Sequence, residues 1–155
     1  HVNYQTLGVE EMKGKPESGN IVTEDGEVLG KHNGLFNYTI GQCKGLGIAY
    51  KHPLYVIGFN GVRNEVIVGP NERLFTNRMI CKFYNFLDDT IHKELKAEGK
   101  IRYAANPSPC IARILDDDTM EVIFEEPQRA ITPGQSVAFY NGTQLLGGAV
   151  IDRVC

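Results

Sequence analysis

Residues 110–125 read Cys110-Ile111-Ala112-Arg113-Ile114-Leu115-Asp116-Asp117-Asp118-Thr119-Met120-Glu121-Val122-Ile123-Phe124-Glu125. Two runs of alternating polarity, Cys110–Leu115 and Met120–Glu125, flank an acidic turn, which is the pattern of a β-hairpin with one buried face. The same texture extends in both directions. C-terminally, Ser136–Tyr140 and Gln144–Ile151 flank Asn141-Gly142, after the turn Thr132-Pro133-Gly134-Gln135. N-terminally, Leu54–Phe59 and Asn64–Gly69 flank Asn60-Gly61, and Asn20–Thr23 and Glu27–Gly30 flank Glu24-Asp25-Gly26. Asn-Gly and Asp-Gly steps supply the positive φ that tight hairpin turns require. Some ten short strands at roughly 8–12-residue spacing suit an all-β chain of two small antiparallel barrels or sandwiches, not a parallel sheet.

The remaining segments set the boundaries. Residues 1–18 are polar and weakly patterned and read as a poorly ordered leader or linker, residues 19–78 as a central β domain, and residues 79–155 as a second β domain, with the junction near residues 77–82. Pro70–Phe75 reads as a short helical turn, since proline early in such a turn gives up an N–H that would be unpaired anyway. Leu87–Gly99 is polar, and His92–Glu98 holds helix formers enough for one helical turn. Lys100–Tyr103 is expected as a short strand ended by Asn106-Pro107-Ser108-Pro109.

At 155 residues, 42% hydrophobic and 23% charged, the chain has ordinary globular composition and is not expected to be disordered. Its net charge of −3 places any nucleic-acid contact in a local patch rather than in bulk charge. No run of roughly 18 apolar residues and no signal-peptide pattern is present, so neither a membrane span nor secretion is expected, and the cytoplasm is. Cys43, Cys81, Cys110 and Cys155 form no CxxC pair, and His1, His32, His52 and His92 are scattered, so no metal site is expected. Cys81 and Cys110 lie in apolar runs that suit buried packing.

Few residues point to chemistry. The glycine-dense stretch Gly41-Gln42-Cys43-Lys44-Gly45-Leu46-Gly47 lets backbone approach a partner or a phosphate, and Lys44 adds a cation. It lacks the terminal Gly-Lys-Ser/Thr of a phosphate-binding loop and does not open a helix, so spacing alone favours a structural turn. On a strand, Lys100 and Arg102 would share one face, able to grip adjacent phosphates, with Tyr103 on the other, able to stack on a base. A solvated strand face is the competing reading. Gln135 stands at the tip of its turn, and Asp116–Asp118 read as a solvated hairpin tip. Cys43, beside Lys44, reads as a spectator thiol rather than a nucleophile.

Taken in order, Leu29-Gly30-Lys31-His32-Asn33-Gly34-Leu35, Tyr38-Thr39-Ile40-Gly41-Gln42, Lys44-Gly45-Leu46-Gly47-Ile48, Lys100-Ile101-Arg102-Tyr103 and Pro127-Gln128-Arg129-Ala130-Ile131-Thr132-Pro133-Gly134-Gln135-Ser136 resemble the central and C-terminal domains of the tRNA-specific 2-thiouridylases. The resemblance runs from about Gly19 to Ile151. It implies an enzyme that adenylates the wobble uridine of certain tRNAs with ATP and replaces its 2-oxygen with sulfur carried as a cysteine persulfide. That chemistry would lie in an N-terminal ATP-pyrophosphatase (PP-loop) domain absent from this chain, so the chain alone is expected to be inactive, without catalytic residues or cofactors.

The resemblance further implies a second domain shaped as a six-stranded barrel like the second domain of elongation factor Tu. It implies tRNA contact near the anticodon stem-loop through Arg102, Tyr103 and Gln135, with Lys44 and Lys100 as secondary candidates. Sulfur would arrive from a relay protein or cysteine desulfurase acting on the missing domain. The family loop carries an arginine where Cys43 stands here. Two other readings are a free-standing β-barrel module that docks a protein partner through the glycine loop, and an independent sulfur carrier using Cys43.

Overall fold

The computed structural model describes residues 17–88, 90, 91, 93–102 and 105–155. The chain divides into two compact units, one ending at Phe75 and the other beginning at Thr76.

In the first unit, β1 (Gly19–Thr23) and β2 (Val28–His32) pair antiparallel across the Asp-Gly turn, as do β3 (Tyr55–Asn60) and β4 (Glu65–Gly69) across Asn60-Gly61. The sheet order is β2-β1-β4-β3. The central pair β1–β4 is parallel, Ile21 opposite Val66, so this sheet is mixed and not purely antiparallel as expected. The two central strands carry continuous apolar runs, Ile21-Val22 and Val66-Ile67-Val68, all buried. Strands covered on both faces favour such runs over alternation. Gly19 sits where a Cβ would lie 2.1 Å from the Asn64 carbonyl oxygen, so only glycine fits. Buried His32 accepts from the Gly34 N–H at Nδ1 (3.0 Å) and donates from Nε2 to the Asn64 carbonyl (2.8 Å), which selects the Nε2–H tautomer. Asn71–Leu74 form a 3-10 turn behind Pro70, as the proline suggested.

The second unit is a closed six-stranded barrel, made of β5 (Phe75–Phe86), β6 (Glu94–Lys100), β7 (Ser108–Ile114), β8 (Thr119–Arg129), β9 (Ser136–Asn141) and β10 (Gln144–Val154) in the order β10-β5-β8-β7-β6-β9. The strand pairs whose registers are resolved are antiparallel, with Ala112 opposite Val122 in the acidic-turn hairpin. Its interior is filled by Met79, Cys81, Cys110, Met120, Val122, Phe124, Ile131, Val137, Phe139 and Ile151, all buried. Closure pairs every strand and leaves no edge to protect.

Two expectations fail here. No helical turn forms over 94–98, because Glu94–Lys100 is the strand that joins β7 to β9, and two ladders outweigh the helix preference of Glu-Leu-Lys-Ala-Glu. The strand also ends at Lys100. Ile101 turns into the core and Arg102 lies in a bend, so Lys100 and Arg102 do not share a strand face. The leader reading of residues 1–16, Tyr103, and the His92 end of the helical reading lie outside the described residues.

Candidate nucleic-acid interface

At one end of the barrel the segment leaving β6 meets the segment joining β8 to β9. Arg102 is exposed, and its Nη1 donates to the carbonyls of Arg129 (2.6 Å) and Ala130 (3.4 Å). Ala130 has φ of 56°, a left-handed conformation that aims the chain out of β8. Its carbonyl also accepts from Thr132 Oγ1 at 2.9 Å, and the Thr132 carbonyl accepts from the Gln135 N–H at 3.3 Å. The turn is then tied to β10, Gly134 N–H to the Ile151 carbonyl (2.7 Å) and Ile151 N–H to the Gln135 carbonyl (2.8 Å). Arg102 and the exposed Gln135 are thus coupled through Ala130 and Thr132, although 33 positions separate them.

Lys100 joins the same end. It stands opposite Ala138 on β9, the strand that follows the Gln135 turn. The arrangement offers a guanidinium whose Nε and Nη2 are not used by the Arg129 and Ala130 carbonyls, a side-chain amide, and an ammonium, all on paired backbone. Such groups suit phosphate and sugar oxygens, which set position without reading sequence. The role of Thr132 and the Ala130 carbonyl was not foreseen. The only local signal for it was the Thr-Pro-Gly turn itself.

Lys44 belongs to the first unit, on the loop 41–47. Gly41, Gly45 and Gly47 have φ of 92°, 77° and 67°, where glycine is needed. The Gln42 amide braces the loop, accepting from the Thr39 N–H (3.0 Å) and donating to the Lys44 carbonyl (2.9 Å). Cys43 and Lys44 are exposed.

Cys81 and Cys110 are buried, and burial pushes their thiols up to about 12 and about 11. Asp116 Oδ1 accepts from the N–H groups of Asp118 (2.9 Å) and Thr119 (2.8 Å), which holds its carboxyl below the usual range and closes the hairpin tip. Among the described residues no three of His, Cys, Asp or Glu converge as a metal site, and no helix is long and apolar enough to cross a membrane.

Two family models match: the tRNA methyl transferase PRC-barrel domain over residues 10–70 and the aminomethyltransferase beta-barrel domain over residues 76–151. The chain is similar to tRNA-specific 2-thiouridylase MnmA of Clostridioides difficile (strain 630), 42% identical over 97% of this chain and 42% of the relative. MnmA 2 of Clostridium botulinum (strain Hall) is 44% identical over 92% of this chain and 40% of the relative. MnmA of Geotalea uraniireducens (strain Rf4) is 46% identical over 94% of this chain and 39% of the relative. The chain spans about two fifths of the length of these curated relatives.

Proposed function

The chain belongs to the tRNA-specific 2-thiouridylase family through both of its β units, and on that premise we propose that it is the tRNA-holding part of an ATP-dependent enzyme that thiolates the wobble uridine. In this reading ATP, the cysteine persulfide and the sulfur donor, a relay protein or cysteine desulfurase, act on a domain outside this chain. The loop 41–47 ends in Gly-Leu-Gly without the lysine-hydroxyl pair of a nucleotide loop, so no step with ATP is assigned to it. The whole protein works in the cytoplasm, and this chain alone is inactive.

The observation that carries the proposal is the hydrogen-bonded path from Arg102 through Ala130 and Thr132 to Gln135. Extruding a base from the anticodon loop costs a few kcal/mol of unstacking. A rigid platform that grips the backbone nearby supplies binding free energy and register without touching the reacting atom. Preorganisation matters, because ordering a loose loop on binding would subtract from affinity. Arg102 therefore has two tasks, holding the turn that carries Gln135 and presenting a cation to phosphate. Tyr103, next in the chain, and Lys100 are proposed to share the contact.

The test is tRNA binding by the full-length protein across a salt series. Arg102→Ala is expected to weaken binding and flatten the dependence of log K on log salt by about one unit or less. Arg102→Lys, which keeps the charge, should keep the slope. An unchanged slope in Arg102→Ala would overturn the assignment. The rival reading, a protein-docking module built on the exposed loop 41–47, predicts a partner complex indifferent to added tRNA.

A further inference from the structure

Resting on the tRNA reading above, we infer that the first unit carries a second RNA contact, in which Tyr50 stacks on an unpaired nucleotide while Lys44 and Lys51 meet the flanking phosphates. The site is an open groove of about 500 Å³ lined by Cys43 and residues 45–54. That volume lies in the range of pockets that hold small-molecule-sized groups, such as one nucleotide. Tyr50 is 39% exposed. Its ring stands edge-to-face with His52, centroids 4.9 Å apart at 82°. That contact fixes the ring's orientation, and the His52 ring is itself held by Nδ1 donating to the Pro53 carbonyl at 3.3 Å. The Lys51 ammonium lies 5.9 Å from the Tyr50 centroid. An oriented exposed aromatic with a cation beside it is the element from which single-stranded nucleic-acid sites are built.

Charge gives the groove a direction. On the other side of the Tyr50–His52 pair is a second hollow lined by Glu24, Asp25 and Glu27. Arg73 pairs with Glu24 there through two contacts of 2.7 Å, so the net negative charge of the hollow is that of Asp25 and Glu27. A polyanion is repelled from that side and drawn along the side of Lys44 and Lys51. There the backbone is bare, since Gly47 has open space where a Cβ would be. The loop needs little ordering: besides the Gln42 brace, it is laced to β3 by Gly41 N–H to the Val56 carbonyl (2.8 Å) and Val56 N–H to the Gln42 carbonyl (2.9 Å).

The same residues argue against a protein partner. Leu46 and Leu54 are spent on the core at 6% and 7% exposure, and Ile48, half-buried, packs beside Gly30. What faces out is an aromatic ring, cations, backbone and the small apolar Ala49 and Pro53, without the large apolar centre that a protein interface needs. The sequence signal was Tyr50-Lys51-His52, a cation between two rings, which sequence reasoning did not single out.

The experiment measures fluorescence anisotropy of a labelled tRNA anticodon stem-loop and of an unstructured oligouridylate on the full-length protein and on Tyr50→Ala, Tyr50→Phe, Lys51→Gln and Arg102→Ala. Tyr50→Ala is expected to raise Kd about five-fold or more for at least one of the two RNAs, with Tyr50→Phe within about two-fold of the parent. Lys51→Gln should reduce the salt slope. If Tyr50→Ala binds both RNAs like the parent while Arg102→Ala is weakened, the groove is not on the RNA path and the barrel contact stands. If Tyr50→Ala is weakened and Arg102→Ala is not, the groove is confirmed and the barrel assignment falls. No saturable binding of either RNA, or a Tyr50→Ala defect confined to a protein complex, overturns the inference.

Discussion

Arg102 shows how one side chain ties together two segments distant in the chain. Its Nη1 donates to two carbonyls of the chain, and the proposed tRNA contact would use the remaining N–H groups of the guanidinium. The cysteines divide in the opposite way, by environment. Cys43 and Cys155 are exposed, whereas Cys81 and Cys110 sit in the barrel core. At pH 8 a thiol reagent such as Ellman's should modify Cys43 and Cys155 within minutes and reach the other two only after unfolding. Rapid modification of Cys81 or Cys110 in the folded protein would contradict their burial. The same burial sets an alkaline limit on the barrel. The folded thiols titrate at about 12 and about 11, above their ordinary 9.0, so the unfolded chain loses those protons first. Their contribution is complete below about pH 9 and drains away as pH rises through 9 towards 12. Replacing both by alanine should flatten the fall in urea midpoint over that interval.

The elements were legible wherever turn chemistry is local. The Asp-Gly, Asn-Gly and Asp116–Asp118 turns each mark a hairpin that the structure forms. Asp116 makes the last of these a side-chain-capped turn, through bonds no longer than three residues. Strand 94–100 was not legible, because its composition favours helix and its two partners lie far off in the chain. The bulge in β10 was equally hidden. There the register shifts between Leu145 and Gly147, and a Cβ at Gly147 would fall 2.3 Å from the Asn85 carbonyl oxygen of β5. Backbone cannot step aside as a flexible side chain can. Gly147→Ala should therefore destabilise the barrel by roughly 1–3 kcal/mol in urea unfolding. A loss below about 0.5 kcal/mol, typical of neutral surface changes, would show that β5 and β10 are not so closely apposed.

At the scale of the whole molecule, the expectation under the proposed function is that the two units work within a longer protein. Relatives more than twice as long supply the reason. Antiserum raised against the chain should detect, in source-cell extract, a polypeptide more than twice 17.2 kDa. A band at 17.2 kDa would mean a free-standing β protein, and the thiouridylase proposal would give way to a search for binding partners. Alternation, glycine-containing turns and the long matching runs at 38–48 and 127–140 determined the all-β class, the hairpins and the family, since each is written in neighbouring residues. The parallel β1–β4 pair, the closing strand β6 and the coupling of Arg102 to Gln135 through Ala130 came only from the folded chain. Each joins segments tens of residues apart. Their partners are selected by core burial and ladder completion, which no local stretch records.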